Sequence, residues 1–172
     1  FTKNHPFVKE AFIYDNSILS NRENVKEIID VSFQETTIAR KLTVKENIEF
    51  YAKLNGLNKT EIENVEEELF KTFELDKIKN KRSSKLSGGW QRKLSIALAL
   101  ITKPKVLFLD EPTLGLDVIA RRELWKTIKS LKGKMTIILT THYMEEAEEL
   151  SDRIGIMKDG KLLICDTAER IK

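Results

Sequence analysis

Cysteine is nearly absent: Cys165 is the single one among 172 residues. No disulfide can close within the chain, and this usage fits a reducing compartment. Long apolar runs are absent too. The longest, around Leu94–Ile101, falls far short of the ~20 residues that cross a bilayer. No secretory signal pattern is visible at the start. There is no internal repeat and no low-complexity linker. An excess of one charge is also missing. Thirty basic residues against 27 acids leave +3, too little to argue for nucleic acid or anionic lipid as a partner.

What is present describes a globular, soluble chain. Hydrophobic residues make up 41% and charged residues 33%, outside the range of disordered segments. The length suffices for one domain with a core and a small second lobe. The charges cluster locally: Glu61–Glu74 is acid-rich, and Lys77–Lys85 holds five basic residues. This pattern reads as a solvated helix and its basic exit loop.

Ala11–Tyr14 and Ile28–Phe33 read as short strands. Thr43–Asn55 reads as a helix with a capping box, Thr43 at the N-cap and Glu46 reaching back. A second helix starts at Thr60, and Ser87 opens a third, apolar one through Ile101. Strands then alternate with helices. Val106–Leu109 and Thr136–Thr140 are strands, and Val118–Leu131 and Met144–Leu150 are helices. Ile154–Met157 and Lys161–Ile164 form a hairpin across "DG". The alternation predicts a parallel sheet covered on both faces. Thr43–Asn80 has no strand of its own, so it reads as a helical lobe inserted between Gln34 and Ser87.

The chemistry concentrates at strand ends, where ligands of open α/β sheets bind. "KVLFLDEPTLGLD" (Lys105–Asp117) ends an apolar strand in Asp110 and Glu111. One acid at such a place can hold Mg²⁺ against a phosphate, and a neighbouring acid can polarise an attacking water. Taken alone, the pair reads more readily as a strand that simply meets solvent. "KLSGGWQRK" (Lys85–Lys93) puts Ser87, Gly88 and Gly89 at a helix N-terminus, where free N–H groups and the helix dipole favour anions. His142 lies just past another strand, and Gln34 follows Ile28–Phe33.

In this order the motifs resemble those of the ATP-binding cassette (ABC) ATPases, specifically the nucleotide-binding domains of ABC transporters. The resemblance covers nearly the whole chain. "LSGGWQRK" looks like the signature motif, "VLFLDEP" like Walker B with its catalytic Glu, "GLD" like the D-loop and "SFQET" like the Q-loop. His142 matches the switch histidine. The tail is similar to bacterial cassettes serving ABC-2 drug or lipid exporters. The 53 residues from Gln34 to Ser87 suit a compact lobe, unlike the long coiled coil of chromosome-maintenance relatives. The resemblance implies an α/β fold: a P-loop NTPase-like core with a parallel sheet and an inserted α-helical subdomain. Its parts would be 1–34 and 87–172 for the core and 35–86 for the subdomain. It also implies ATP and Mg²⁺ as ligands. Asp110 and Gln34 would serve the metal, and Glu111, His142 and Gln34 would act in hydrolysis. Ser87, Gly88, Gly89, Gln91 and Asp117 would meet nucleotide across a head-to-tail pair with a second nucleotide-binding domain. A transmembrane permease subunit would dock on the helical subdomain, at the cytoplasmic face of the membrane, and nucleic acid is not an implied partner.

One element of that pattern has no counterpart. None of the seven glycines builds a phosphate loop G-x-x-x-x-G-K-[ST]. "GK" at Gly133–Lys134 lacks the upstream glycine and precedes a strand. The aromatic residue that stacks on adenine is likewise missing. By the family pattern Phe1 falls within or just after the helix that the loop would start. The expectation is therefore a core incomplete at its N-terminus, with uncovered apolar faces at Val106–Leu109 and Ile137–Leu139. Phe33 replaces the usual Pro, and Lys9, Asp15 and Asp166 replace usual glycines. A second reading stays open: a non-catalytic remnant or regulatory half that donates its signature in trans.

Overall fold

The computed structural model describes residues 11–172; Phe1 and Lys9 lie outside that range. A short hairpin comes first, β1 (Phe12–Ile13) against β2 (Asn16–Ser17). It is briefer than the strand expected at Ala11–Tyr14. Tyr14 at φ 51° makes the turn, so the hairpin closes without a glycine at Asp15. Helix α1 (Arg22–Ile28) follows, unforeseen in the sequence. It buries Val25 alone, too little for a periodic signal. Strand β3 (Ile29–Ser32) then enters the sheet.

The helical lobe holds α2 (Val44–Leu54) and α3 (Lys59–Phe73), with 3₁₀ turns at Leu75–Ile78 and Ser83–Lys85. The capping box on α2 forms as expected. Thr43 Oγ1 accepts from the Glu46 amide at 3.2 Å, and Glu46 accepts from the Thr43 amide at 2.8 Å. Thr43→Ala is expected to cost about 1 kcal/mol. Urea denaturation checks it: the midpoint should fall with an unchanged slope. On α3 the box is built by Asn58 and Glu61, not from Thr60. Asn offers the same acceptor chemistry two residues earlier. Asn47, fully buried on α2, bonds Ala39 at both its amide and its carbonyl and reaches Ser83 Oγ at 2.8 Å. It thereby ties the entry and exit of the lobe.

Helix α4 (Gly88–Ala99) stops two residues before the expected Ile101. There follow β4 (Val106–Asp110), α5 (Val118–Leu131), β5 (Thr136–Thr140), α6 (Met144–Leu150), β6 (Ile154–Lys158), β7 (Lys161–Asp166) and α7 (Ala168–Ile171). Asp159 and Gly160, at φ 49° and 75°, turn the β6–β7 hairpin as a primed turn demands.

Strands β3, β4 and β5 form a parallel sheet with β4 in the centre. Leu107 and Leu109 of β4, Leu94 and Ile96 of α4, and Leu124 and Ile128 of α5 are almost wholly buried in one core. The expected exposure at Val106–Leu109 is therefore corrected: Val106, Leu107 and Leu109 are buried, the two leucines in one core with side chains of α4 and α5. The expected exposure at Ile137–Leu139 is found among the described residues, with Ile138 of β5 46% exposed. A groove of ≈ 930 Å³ runs between β5 and the β6–β7 hairpin, lined by residues including Ile137, Leu139, Ile156 and Leu162.

Candidate functional site

The parallel register brings the carboxyl ends of three strands together, with Asp110 opposite Thr140. Thr140 Oγ1 donates to Asp110 Oδ1 at 2.6 Å. The Glu111 amide donates to the main-chain carbonyl and to Oγ1 of Thr140, each at 3.2 Å. Glu111 takes φ 45°, a left-handed conformation that costs a glutamate on the order of 1–3 kcal/mol. Its carboxylate meets His142 Nδ1, with contacts of 2.9 and 3.0 Å. An ionised carboxylate only accepts, so Nδ1 is the protonated nitrogen. The His142 ring also lies 4.1 Å, centroid to centroid, from that of Tyr143.

The other expected site residues fall as follows. Ser87 caps α4 in extended geometry, yet its hydroxyl makes no capping bond. The N-terminus of α4 packs on α5 and the loop before it. A Cβ on Gly88 would meet Leu116 Cδ2 at an ordinary 3.6 Å; one on Gly89 would lie 3.0 Å from Ala120 Cβ. Gly89 thus has a packing reason of its own, and Gly88 does not. Gly89→Ala is expected to destabilise by about 1 kcal/mol, overpacking outweighing helix propensity. Gly88→Ala should leave stability within about 0.5 kcal/mol of the original. Thermal melts of the two variants check the contrast. Gln91 Nε2 donates to the carbonyls of Leu86 and Ser83, at 3.0 and 3.4 Å, and braces the approach to Ser87. Asp117 Oδ1 accepts from the amides of Ile119 and Ala120 and caps α5. Gln34 is exposed just beyond β3.

Two residues of the site escaped the sequence reading. Thr140 is one; its role appears only once β4 and β5 are in register. Arg92 is the other, only 4% exposed within the helix that carries the signature. Its Nε donates to Pro112 O at 2.9 Å and its Nη2 to Asp110 O at 2.7 Å. Its Nη1 donates to Gln34 O at 3.1 Å and to Phe33 O. Burial pushes the guanidinium pKa down, and the charges of Asp110 and Glu146 push it back up. Arginine stays charged through such shifts. Glu146 is fully buried and accepts from Trp125 Nε1 at 2.9 Å, while its Oε2 has no partner.

Among the described residues no three His, Cys, Asp or Glu gather as a metal cage. Mg²⁺ rarely needs one; it is held by one or two carboxylates plus water and substrate phosphates. Asp110 offers such a hard oxygen donor, so the residues fit Mg²⁺ delivered with a phosphate ligand. Lys134, of the "GK" pair, follows Gly133 at φ 81° in the turn before β5, not at a helix start.

These features define a class: an α/β, P-loop NTPase-like nucleotide-binding core with an acid pair and a histidine at its strand ends. A sequence profile described as "ABC transporter" matches residues 4–114. The chain belongs to the ABC transporter family, as an ATP-binding domain. It is 42% identical over 165 residues to ABC transporter A family member 9 of Arabidopsis thaliana, covering 95% of this chain and 17% of that protein. It is 39% identical over 167 residues to the phospholipid-transporting ATPase ABCA3 of Homo sapiens, covering 97% of this chain and 10% of that protein. The chain therefore spans well under a fifth of these relatives. The solved structure of cbiO1 from Clostridium perfringens, described as part of the ABC transporter complex cbiONQ, superposes with a TM-score of 0.84. It is 26% identical, and the match covers 93% of this chain and 66% of that one.

Proposed function

We propose that the whole protein hydrolyses Mg-ATP at this site and couples hydrolysis to membrane transport. The observation that carries the reading is the Glu111–His142 contact at 2.9 Å, held beside Asp110 by Thr140. Asp110 is oriented for the metal by the Thr140 hydroxyl. Glu111, an acceptor when ionised, takes the proton of an attacking water. His142 holds that carboxylate in place and stands ready to meet the γ-phosphate. Gln34, on a loop fixed at its carbonyl, contacts metal or water. When bound, Mg²⁺ supplies charge neutralisation at the phosphates.

Ser87, Gly88 and Gly89 face the nucleotide of a second, head-to-tail cassette. Asp117 and Gln91 act there by shaping the helix ends that border it. Residues 35–86 form the lobe that docks a transmembrane subunit, 1–34 and 87–172 the ATPase core, and the assembly sits at the cytoplasmic face. The similarity to a human phospholipid-transporting ATPase supports a lipid as cargo. Phosphate release by the whole protein tests the reading. Asp110→Asn is expected to raise the Mg²⁺ concentration for half-maximal rate by ~10-fold or more. Absence of Mg-dependent turnover in the unmodified protein contradicts it.

One observation favours a second reading: the Ser87 hydroxyl makes no capping bond of its own. In that case the chain lends its signature to a partner's nucleotide and never hydrolyses ATP itself. Glu111→Gln then leaves turnover of the complex unchanged, and Gly88→Asp abolishes it.

A further inference from the structure

We infer that Arg92 is a positioning residue: its guanidinium sets the spacing between the Gln34 loop and the Asp110–Glu111 loop and makes both follow helix α4. The inference rests on the proposed hydrolysis for its consequence in rate, though the geometry stands without it.

All four acceptors of Arg92 are main-chain carbonyls, and they lie on two loops. Phe33 and Gln34 follow β3; Asp110 ends β4 and Pro112 lies two residues on. A carbonyl reports where the backbone is, not which rotamer a side chain has chosen. The planar guanidinium therefore acts as a spacer of fixed shape between the two loops that carry Gln34, Asp110 and Glu111. Among the described residues the other ties of the acid loop, from Thr140 to Asp110 and Glu111 and from His142 to Glu111, do not reach Gln34.

The stem of Arg92 belongs to α4, whose residues Arg92–Ala99 are all buried. Such a helix moves as a unit. Its first turn is Gly88–Gly89, and Arg92 lies one turn beyond, about 4.5 Å along the axis from Gly89. A push on that first turn therefore displaces the guanidinium, and with it Gln34 and the two acids of the same chain. A buried charge is a costly way merely to fill space, since an apolar side chain of similar volume avoids the desolvation. Lysine is a poor substitute: its three donors radiate from one nitrogen and cannot span four carbonyls in a fork.

The test compares Arg92→Lys and Arg92→Gln in the whole protein by two readouts. The first is the split between KM and kcat for Mg-ATP. Both variants are expected to keep KM within ~3-fold and to lose ~10-fold or more in kcat, since small misplacements of reacting groups cost rate steeply. The second is amide hydrogen exchange. Residues 33–38 and 111–114 should exchange ~10-fold or more faster, with α2 and α3 unchanged. Arg92→Lys keeps the buried stem and charge, so it decides the matter if Arg92→Gln does not fold. Wild-type kcat in Arg92→Lys, or unchanged exchange in the two loops, overturns the inference. If the unmodified protein does not turn over Mg-ATP, hydrolysis is the claim that fails, and the exchange readout alone decides the tie.

Discussion

Glu111→Gln is expected to lower steady-state ATP hydrolysis by the whole protein ~100-fold or more, on the scale of a lost general base. The structure sharpens the expectation. Glu111 is held in a left-handed conformation, its amide bonded to Thr140 and its carboxylate to His142. Glutamine preserves the shape and both backbone contacts while removing the basic oxygen. Nucleotide binding should persist, and ATP should trap the closed dimer. Unchanged turnover in a phosphate-release assay removes Glu111 from the role.

Gly88→Asp is expected to abolish ATP-driven dimerisation. Space is not the obstacle: a Cβ at Gly88 meets only Leu116 Cδ2, at 3.6 Å. The folded monomer should therefore melt as before. The obstacle is charge. A carboxylate about 4 Å from a phosphate oxygen costs about 4 kcal/mol at an effective dielectric of 20, roughly a thousandfold in association. Size-exclusion chromatography with Mg-ATP, in the Glu111→Gln background, reads the result. A variant that still dimerises reduces Ser87–Gly89 to a helix cap.

Most of the architecture was legible because local signals agreed with one another. The bounds of α5, β5 and α6 coincide with the sequence reading, since the alternation of apolar runs marks all three. Helix α1 was not legible, having one buried side chain. The cap of α3 was misplaced because Asn58 and Thr60 both precede an acid by three residues. At the site, the motif order singled out Asp110, Glu111 and His142 one by one, and the fold brings Glu111 against His142. The motif order did not anticipate what holds them. Thr140 acts across strands, and register is a tertiary fact. Arg92 stands in the signature run "LSGGWQRK", where the sequence reading assigns it no role; only the fold buries it against two loops. Gln91 and Asp117 were read as nucleotide contacts. In the folded chain their side chains bond local backbone groups instead, so their reach toward a nucleotide is through the turns they shape.

On the proposed reading these residues supply the hydrolytic end of the site, and none of the 172 forms a phosphate loop. Asp110, Glu111 and Asp117 repel a triphosphate unless metal is already held. Gln34 and His142 add about 1 kcal/mol each as hydrogen-bonding partners, and Ser87–Gly89 is proposed to face the nucleotide of the other cassette. Isothermal titration of residues 1–172 with Mg-ATP tests this reading directly. The account predicts no binding tighter than about 1 mM, near −4 kcal/mol. A dissociation constant below about 10 µM, near −7 kcal/mol, would contradict it and place the phosphate site within these 172 residues.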